Sequence, residues 1–228
     1  MAQGLLPYAV MQYIIEREQE LEDKDQEIKL PRMEELADQL GVSRGKLREE
    51  LIAAQAYGIV EMRPGDGTYV RSFDFYTPAR TMVLYGVQRD HRSFDRFYQI
   101  RIQLEIGFWE QAVSALTAED LDALERIVQQ AQEKLEGDLI EIPHAEHREF
   151  HERLFGKIDN PYVQGLLSAY WDAYEAVGLN RYFEFDYYQH MWSSHQEMVG
   201  TIREGQYSQS RDILVDHFTL LHDRLESG

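Results

Sequence analysis

Residues 30–71 read LPRMEELADQLGVSRGKLREELIAAQAYGIVEMRPGDGTYVR. Two apolar stripes at helical spacing lie within this segment: Met33, Leu36, Ala37 and Leu40, then Leu47, Leu51 and Ala54. Pro31 reads as the start of the first helix and Gly41 as its stop, while Ser43 is a suitable N-cap for the second helix, which Gly58 ends. With only Gly41, Val42 and Ser43 between them, the two helices have the layout of a helix-turn-helix. After Gly58 the period changes from helical to alternating. Ile59 to Arg63 and Thr68 to Arg71 flank Pro64-Gly65-Asp66-Gly67, which predicts a β-hairpin.

Outward from this block, Leu6, Val10, Tyr13, Ile14 and Leu21 predict a helix from Leu5 to about Glu22, followed by an acidic run to Glu27. Between Ser72 and about Arg80 there is no clear period and Pro78 interrupts, so the domain boundary is expected there, with domains at 1–76 and 77–228. Beyond it the pattern is helical throughout, with faces such as Phe97, Ile100, Leu104 and Phe108, or Leu121, Leu124, Ile127 and Val128. Punctuation at Thr117, Gly137 with Pro143, Asn160-Pro161, Gly178 and Gly205 predicts six or seven helices. The expected fold class is mainly α: an N-terminal winged helix-turn-helix with a β-hairpin wing, then a C-terminal all-α bundle.

At 228 residues the chain has room for two cores. It contains no cysteine, which excludes disulfides and thiolate ligands and agrees with a reducing, cytoplasmic setting. No apolar run approaches the length of a bilayer span, and the N-terminal apolar patch lacks the basic start of a signal peptide, so no membrane partner is expected. The formal net charge of −18 opposes DNA at long range. Screening over about 10 Å limits that opposition, so a local basic patch suffices. Arg44, Lys46 and Arg48, with Ser43, crowd the first turns of the second helix, and Arg63 and Arg71 flank the wing. Such a helix reads base edges in the major groove, and Gly65 and Gly67 let the wing backbone approach phosphates.

The same 42 residues closely resemble the winged helix-turn-helix of GntR-type bacterial regulators, through Leu30-Pro31, Glu35-Leu36-Ala37, Gly41-Val42-Ser43-Arg44, Leu47-Arg48-Glu49, Gly58-Ile59-Val60 and Gly65 to Val70. The resemblance implies DNA contacts from Ser43, Arg44, Arg48 and Gly65. A basic residue often stands three positions after the proline in that family; this chain has Glu34 there, with Arg32 close by as a substitute contact. Gly45 also departs, at a cost of up to about 1 kcal/mol in a helix.

In the second half His151, His195 and His217 each lie on an apolar stripe, flanked by Leu154-Phe155, by Met191, Trp192, Met198 and Val199, and by Ile213, Leu214, Leu220 and Leu221. His147 precedes His151 by one helical turn, which puts both rings on one face, as a shared metal ion requires. Any one of these histidines is better read as a core or half-exposed imidazole bonded to a backbone carbonyl; four together point to a divalent transition metal, zinc or nickel foremost. His144 and His190 are expected at the surface. Residues 94 to 220 resemble the FCD effector domain of the FadR branch of GntR regulators, through Arg101 with Leu104-Glu105, Phe150-His151, Asn160-Pro161, Ser194-His195 and His217. Members of that branch commonly bind a metal with one Asp and three His. The resemblance makes His151, His195 and His217 those three and puts His147 in place of the Asp. It also sets Arg101 against an arginine that faces the effector cavity in some relatives; the alternative is an intrahelical pair with Glu105, worth only about 0.3–0.5 kcal/mol if exposed.

These readings predict a homodimeric, DNA-binding transcription regulator of a roughly palindromic operator. Its helical domain would sense a small carboxylate through a bound metal, with Trp109, Tyr170, Trp171, Tyr174, Tyr182, Phe183 and Phe185 in the core or the cavity wall. The alternative is a metal-dependent hydrolase using the histidine cluster. A zinc-protease helix needs Glu directly after its first His, where Arg148 stands, and phosphate, dinucleotide and serine-nucleophile motifs are missing from the sequence. An interaction protein that does not bind DNA would also suit the acidic balance.

Overall fold

A computed structural model of the chain describes residues 6–20, 27–137, 140–178 and 185–225, with side chains to 219. It falls into two compact units, Met1–Pro78 and Ala79–Gly228.

The first unit holds α1 (Ala9–Glu20), α2 (Met33–Leu40), α3 (Arg44–Ala56), β1 (Val60–Arg63) and β2 (Gly67–Val70). Val10 and Ile14 of α1, Leu36 and Ala37 of α2, and Leu47, Leu51 and Ala54 of α3 converge on one core with Leu30 and Val60. The tight connection between α2 and α3 needs a left-handed residue, and Gly41 supplies it at φ +65°. Ser43 then accepts the Lys46 amide at 3.2 Å, so the expected N-cap is present. The wing is an antiparallel pair with Val60 opposite Val70 and Arg63 opposite Gly67.

Two local expectations change. Pro31 does not open α2, because residues 28–30 form a bridge alongside β2, with Leu30 N donating to Thr68 O and Val70 N to Ile28 O, each at 2.8 Å. Proline ends that extended segment and the helix starts two residues later. Leu6 precedes α1 and is 40% exposed instead of joining its buried face; Leu21 and Glu22 lie outside the described residues.

From the boundary onward come α4 (Tyr76–Arg89), whose first three residues still belong to the first unit, α5 (Arg92–Gly107), α6 (Trp109–Ser114), α7 (Ala118–Glu136), α8 (His144–Phe155), α9 (Pro161–Ala176), α10 (Phe185–Arg203) and α11 (Tyr207–Leu225). That is eight helices among the described residues against the six or seven expected. One of them, α4, starts inside the stretch read as boundary: Asp74 accepts the amides of Tyr76 and Thr77, and Pro78 sits harmlessly in the first turn. Thr117 and Asp120 close a reciprocal capping box on α7, while Asn160 caps α9 ahead of Pro161.

The largest departure concerns α5. Its expected apolar face of Phe97, Ile100, Leu104 and Phe108 is only partly buried, and Ile100 is 49% exposed. The stripe that faces the core is Phe94, Tyr98, Arg101 and Glu105, at spacings of four, three and four. Two charged residues therefore occupy interior positions.

One interior carboxylate also organises the first unit. Glu50 of α3 is 3% exposed and accepts the Val10 amide in the first turn of α1 at 3.1 Å, with Lys46 Nζ 3.9 Å from its other oxygen. A charged acceptor on a buried helix N-terminus is worth about 1.5–3 kcal/mol. Glu50→Ala is expected to destabilise α1 against α3 by that amount, read as faster amide hydrogen exchange across both helices while α7 to α11 keep their protection.

Candidate functional site

In the first unit, Arg44 opens α3 and Lys46 and Arg48 follow in its first turns, all exposed. The Ser43 hydroxyl is occupied by its capping bond. Arg44 Nη1 lies 2.9 Å from Glu34 Oε1 on α2. In the wing, Gly65 holds φ +79° with open space around it, so the backbone is bare at the turn. Arg63 stacks over Tyr69 at 4.0 Å and pairs with Glu27 at 2.8 Å and Glu61 at 3.1 Å. Lys29 pairs with Asp66 at 2.8 Å, and the Tyr69 hydroxyl donates to the same carboxylate. Arg32 precedes α2 and, with Lys29, Asp66, Gly67 and Thr68, lines a groove of about 500 Å³ beside the wing; Arg71 is exposed at the end of β2.

The histidines are assembled from three helices of the second unit: His147 and His151 from α8, His195 from α10 and His217 from α11, none more than 6% exposed. One ring nitrogen from each lies within 4.8 Å of the others. The Nε2 atoms of His151 and His195 are 3.3 Å apart, which matches the edge of a tetrahedron with metal–nitrogen bonds of about 2.0–2.1 Å. Four nitrogens of a divalent cation's shell could occupy this space. His147 Nε2, His195 Nδ1 and His217 Nδ1 are buried without a partner among the described residues, a costly arrangement unless something bonds to them.

Electrostatics keep the rings in the ligating state. Burial, with the neighbouring histidines and Arg101, drives His147 and His195 well below the ordinary imidazole range and His217 down to about 3. His151 is lowered less, because Glu105 opposes the effect of burial. Its Nδ1 lies 3.1 Å from Glu105 Oε2, which leaves Nε2 turned toward His195. A carboxylate behind a ligating imidazole sets its tautomer and raises its basicity. Burial alone would raise Glu105, but Arg101 and His151 hold it at about 2.

Arg101 resolves into neither expected alternative alone. It does pair with Glu105, Nε to Oε1 at 2.6 Å, but both are buried, at 3% and 1% exposed. Its guanidinium lies between Tyr170, Trp171 and Phe218, and Nη2 has no hydrogen-bond partner among the described residues. Trp192 Nε1 is likewise unpaired beside the histidines, its ring 4.8 Å from His195. A cavity of about 270 Å³ reaches Glu105 and His151, walled by Glu152, Phe155, Ser168 and Trp171.

His190 is exposed as expected, whereas His144 is half-buried, edge-on to Tyr188 at 5.8 Å. Of the aromatic residues singled out, Trp109, Tyr170, Trp171 and Tyr174 are buried, and Tyr182 and Phe183 lie outside the described residues. Sequence reading missed Glu105 as a site residue. Residues 94, 98, 101 and 105 do form a helical stripe, but its two charged members hide it from hydrophobic periodicity.

The FCD domain pattern matches residues 96–220, and the pattern described as bacterial regulatory proteins, gntR family, matches residues 17–70. The chain is similar to the HTH-type transcriptional regulator LutR of Bacillus subtilis, 31% identical over 42% of this chain and 44% of that one. It is also similar to the Uxu operon regulator of Haemophilus influenzae, 26% identical over 83% of this chain and 70% of that one. The chain thus spans less than half the length of LutR. In fold it is similar to Streptococcus agalactiae GntR, with a TM-score of 0.69 at 22% identity over 94% and 96% of the two chains. Escherichia coli McbR/YncC gives 0.52 at 16% identity over 97% and 99%.

Removing one member of a buried ion pair leaves the other uncompensated, at about 3–5 kcal/mol. Glu105→Ala is therefore expected to lower the stability of the helical unit by that amount in urea unfolding. Arg101→Met with Glu105→Leu, which removes both charges, should restore much of it.

Proposed function

The chain belongs to the GntR family of DNA-binding transcription regulators, with an FCD domain on its C-terminal side, and from that footing we propose that its helical unit senses a small organic acid at a metal held by His147, His151, His195 and His217. The observation that carries this reading is the convergence of four buried, neutral imidazoles, three of which keep a ring nitrogen without a partner among the described residues. Imidazole-only coordination suits zinc or nickel. When bound, the ion keeps its full positive charge, since no anionic group lies among the four donors, and so attracts a carboxylate. The chain's own residues favour the same chemistry: Arg101 Nη2 and Trp192 Nε1 are buried donors without acceptors, and Glu105 keeps Arg101 in place through Nε alone.

In this reading Arg32, Ser43, Arg44, Lys46, Arg48, Arg63 and Gly65 face DNA, two copies of α3 read a roughly palindromic operator, and the homodimer draws on exposed apolar residues of α4 and α5 such as Met82, Tyr85 and Ile100. Ligand binding alters operator affinity only insofar as it favours one arrangement of the protein over another. The family is one of regulators and not enzymes. The position of a zinc-protease base is taken by Arg148, engaged with Asp172, Glu152 and Glu175, while Glu149 is exposed and pairs with Arg153.

Elemental mass spectrometry on untagged protein is the decisive experiment. Wild type is expected to carry about one zinc or nickel per chain and the double variant His195→Ala, His217→Ala none. Loading with either metal should raise the melting temperature of wild type only, and small carboxylates should raise it further. A wild type that takes up no metal after incubation with zinc or nickel would remove the metal from this reading.

A further inference from the structure

The DNA-reading unit is not basic overall. Between Glu27 and Arg71 the sequence holds seven cationic and eight anionic side chains. Sequence-independent attraction to phosphate, which scales with the number of free cations, is correspondingly weak. Several cations of the DNA face meet a carboxylate: Lys46 meets Glu50, Arg63 meets Glu27 and Glu61, and Arg44 meets Glu34.

The last pair differs from the others. Glu50 is buried and serves α1, and Glu27 and Glu61 hold a wing arginine that is also stacked on Tyr69. Glu34 comes from α2, across the turn from the first residue of the recognition helix, and both partners are about two-thirds exposed, at 68% and 69%. An ion pair so exposed contributes little to folding and exchanges readily for another anion. A phosphate that approaches Arg44 either displaces Glu34 or takes the free edge of the guanidinium close to the Glu34 charge, which repels it. A guanine edge imposes no such conflict. It carries no net charge, and with Nη1 on Glu34 the Nε and Nη2 edge of the guanidinium remains to make two hydrogen bonds to O6 and N7.

We propose that Glu34 is a specificity-determining residue of the operator interface: it competes with DNA phosphate for Arg44 and so reserves that arginine for base contact. The inference rests on the DNA-binding function of α3 and adds a residue that opposes binding to the wrong DNA.

The test uses the full chain and two duplexes of equal length, one recovered by selection from a randomised pool and one scrambled, titrated by fluorescence anisotropy between 50 and 200 mM salt. Wild type, Glu34→Gln, Arg44→Ala and the double variant are compared. Glu34→Gln, exposed and nearly isosteric, is expected to bind the scrambled duplex about five- to tenfold more tightly, with a salt slope steeper by about one released ion per subunit. Selected-duplex affinity should change by less than about twofold, so that the specificity ratio falls, and the gain should vanish when Arg44 is alanine. Unchanged scrambled-duplex affinity and slope in Glu34→Gln overturn the proposal, as does an equal gain in the Arg44→Ala background, which would mark a general charge effect. A wild type that binds neither duplex would remove the DNA-binding reading, and this proposal with it; a wild type that discriminates no better than Glu34→Gln removes this proposal alone.

Discussion

The helical unit depends on neutralising one buried charge. Arg101 is 3% exposed in the interior of the bundle, where an isolated cation costs several kcal/mol, and the structure answers with Glu105 one helical turn on. That pair rotates α5 so that Phe94 and Tyr98 join the core while Ile100 turns outward. Glu105 has a second oxygen, and its use is the next consequence. It faces His151 Nδ1, which orients that ring with Nε2 toward His195. One ion pair thus fixes a helix face, a tautomer and the direction of a donor atom on another helix.

The aromatic residues follow from the same constraint. A guanidinium with an unbonded nitrogen is tolerable in the interior only where its remaining surface meets polarisable groups, and Tyr170, Trp171 and Phe218 supply them within 5.3 Å. Trp171 packs at the same time on His147 and His151, with ring centroids 4.9 and 5.4 Å away. Apart from His151, which Glu105 also holds, the histidine rings are fixed chiefly by stacked neighbours, which leaves one nitrogen each of His147, His195 and His217 without a partner among the described residues. Packing thus carries most of the orientation, with polar pairing confined to His151.

Legibility from sequence varied with the physics involved. The winged helix-turn-helix was readable because each element carries local punctuation, with Gly41 in a left-handed turn, Ser43 as a cap and alternation in the wing. The four histidines were readable from helical spacing alone. Hydrophobic periodicity failed for α5, because it assigns charges to the solvent and cannot register that Glu105 and Arg101 cancel each other. Pro31 was misread for a related reason, since the bridge of residues 28–30 to β2 is a tertiary contact with no local signature. The pairing of Glu34 with Arg44 joins two helices across a turn and lay beyond any motif.

The two units meet the same problem, compensation of arginine, in opposite dielectric regimes. In the interior the charge must be matched continuously, so Glu105 binds Arg101 through Nε and leaves Nη2 available to an incoming acceptor without breaking the pair. A carboxylate arriving there adds an interaction and dismantles none, which is the condition for a preorganised anion site. At the exposed Glu34–Arg44 pair water screens both partners, and in the proposed role Glu34 satisfies Arg44 only until a better acceptor appears. On the readings proposed above, an arginine held permanently in one unit and exchangeably in the other lets a single residue type serve ligand recognition by retention and DNA recognition by release.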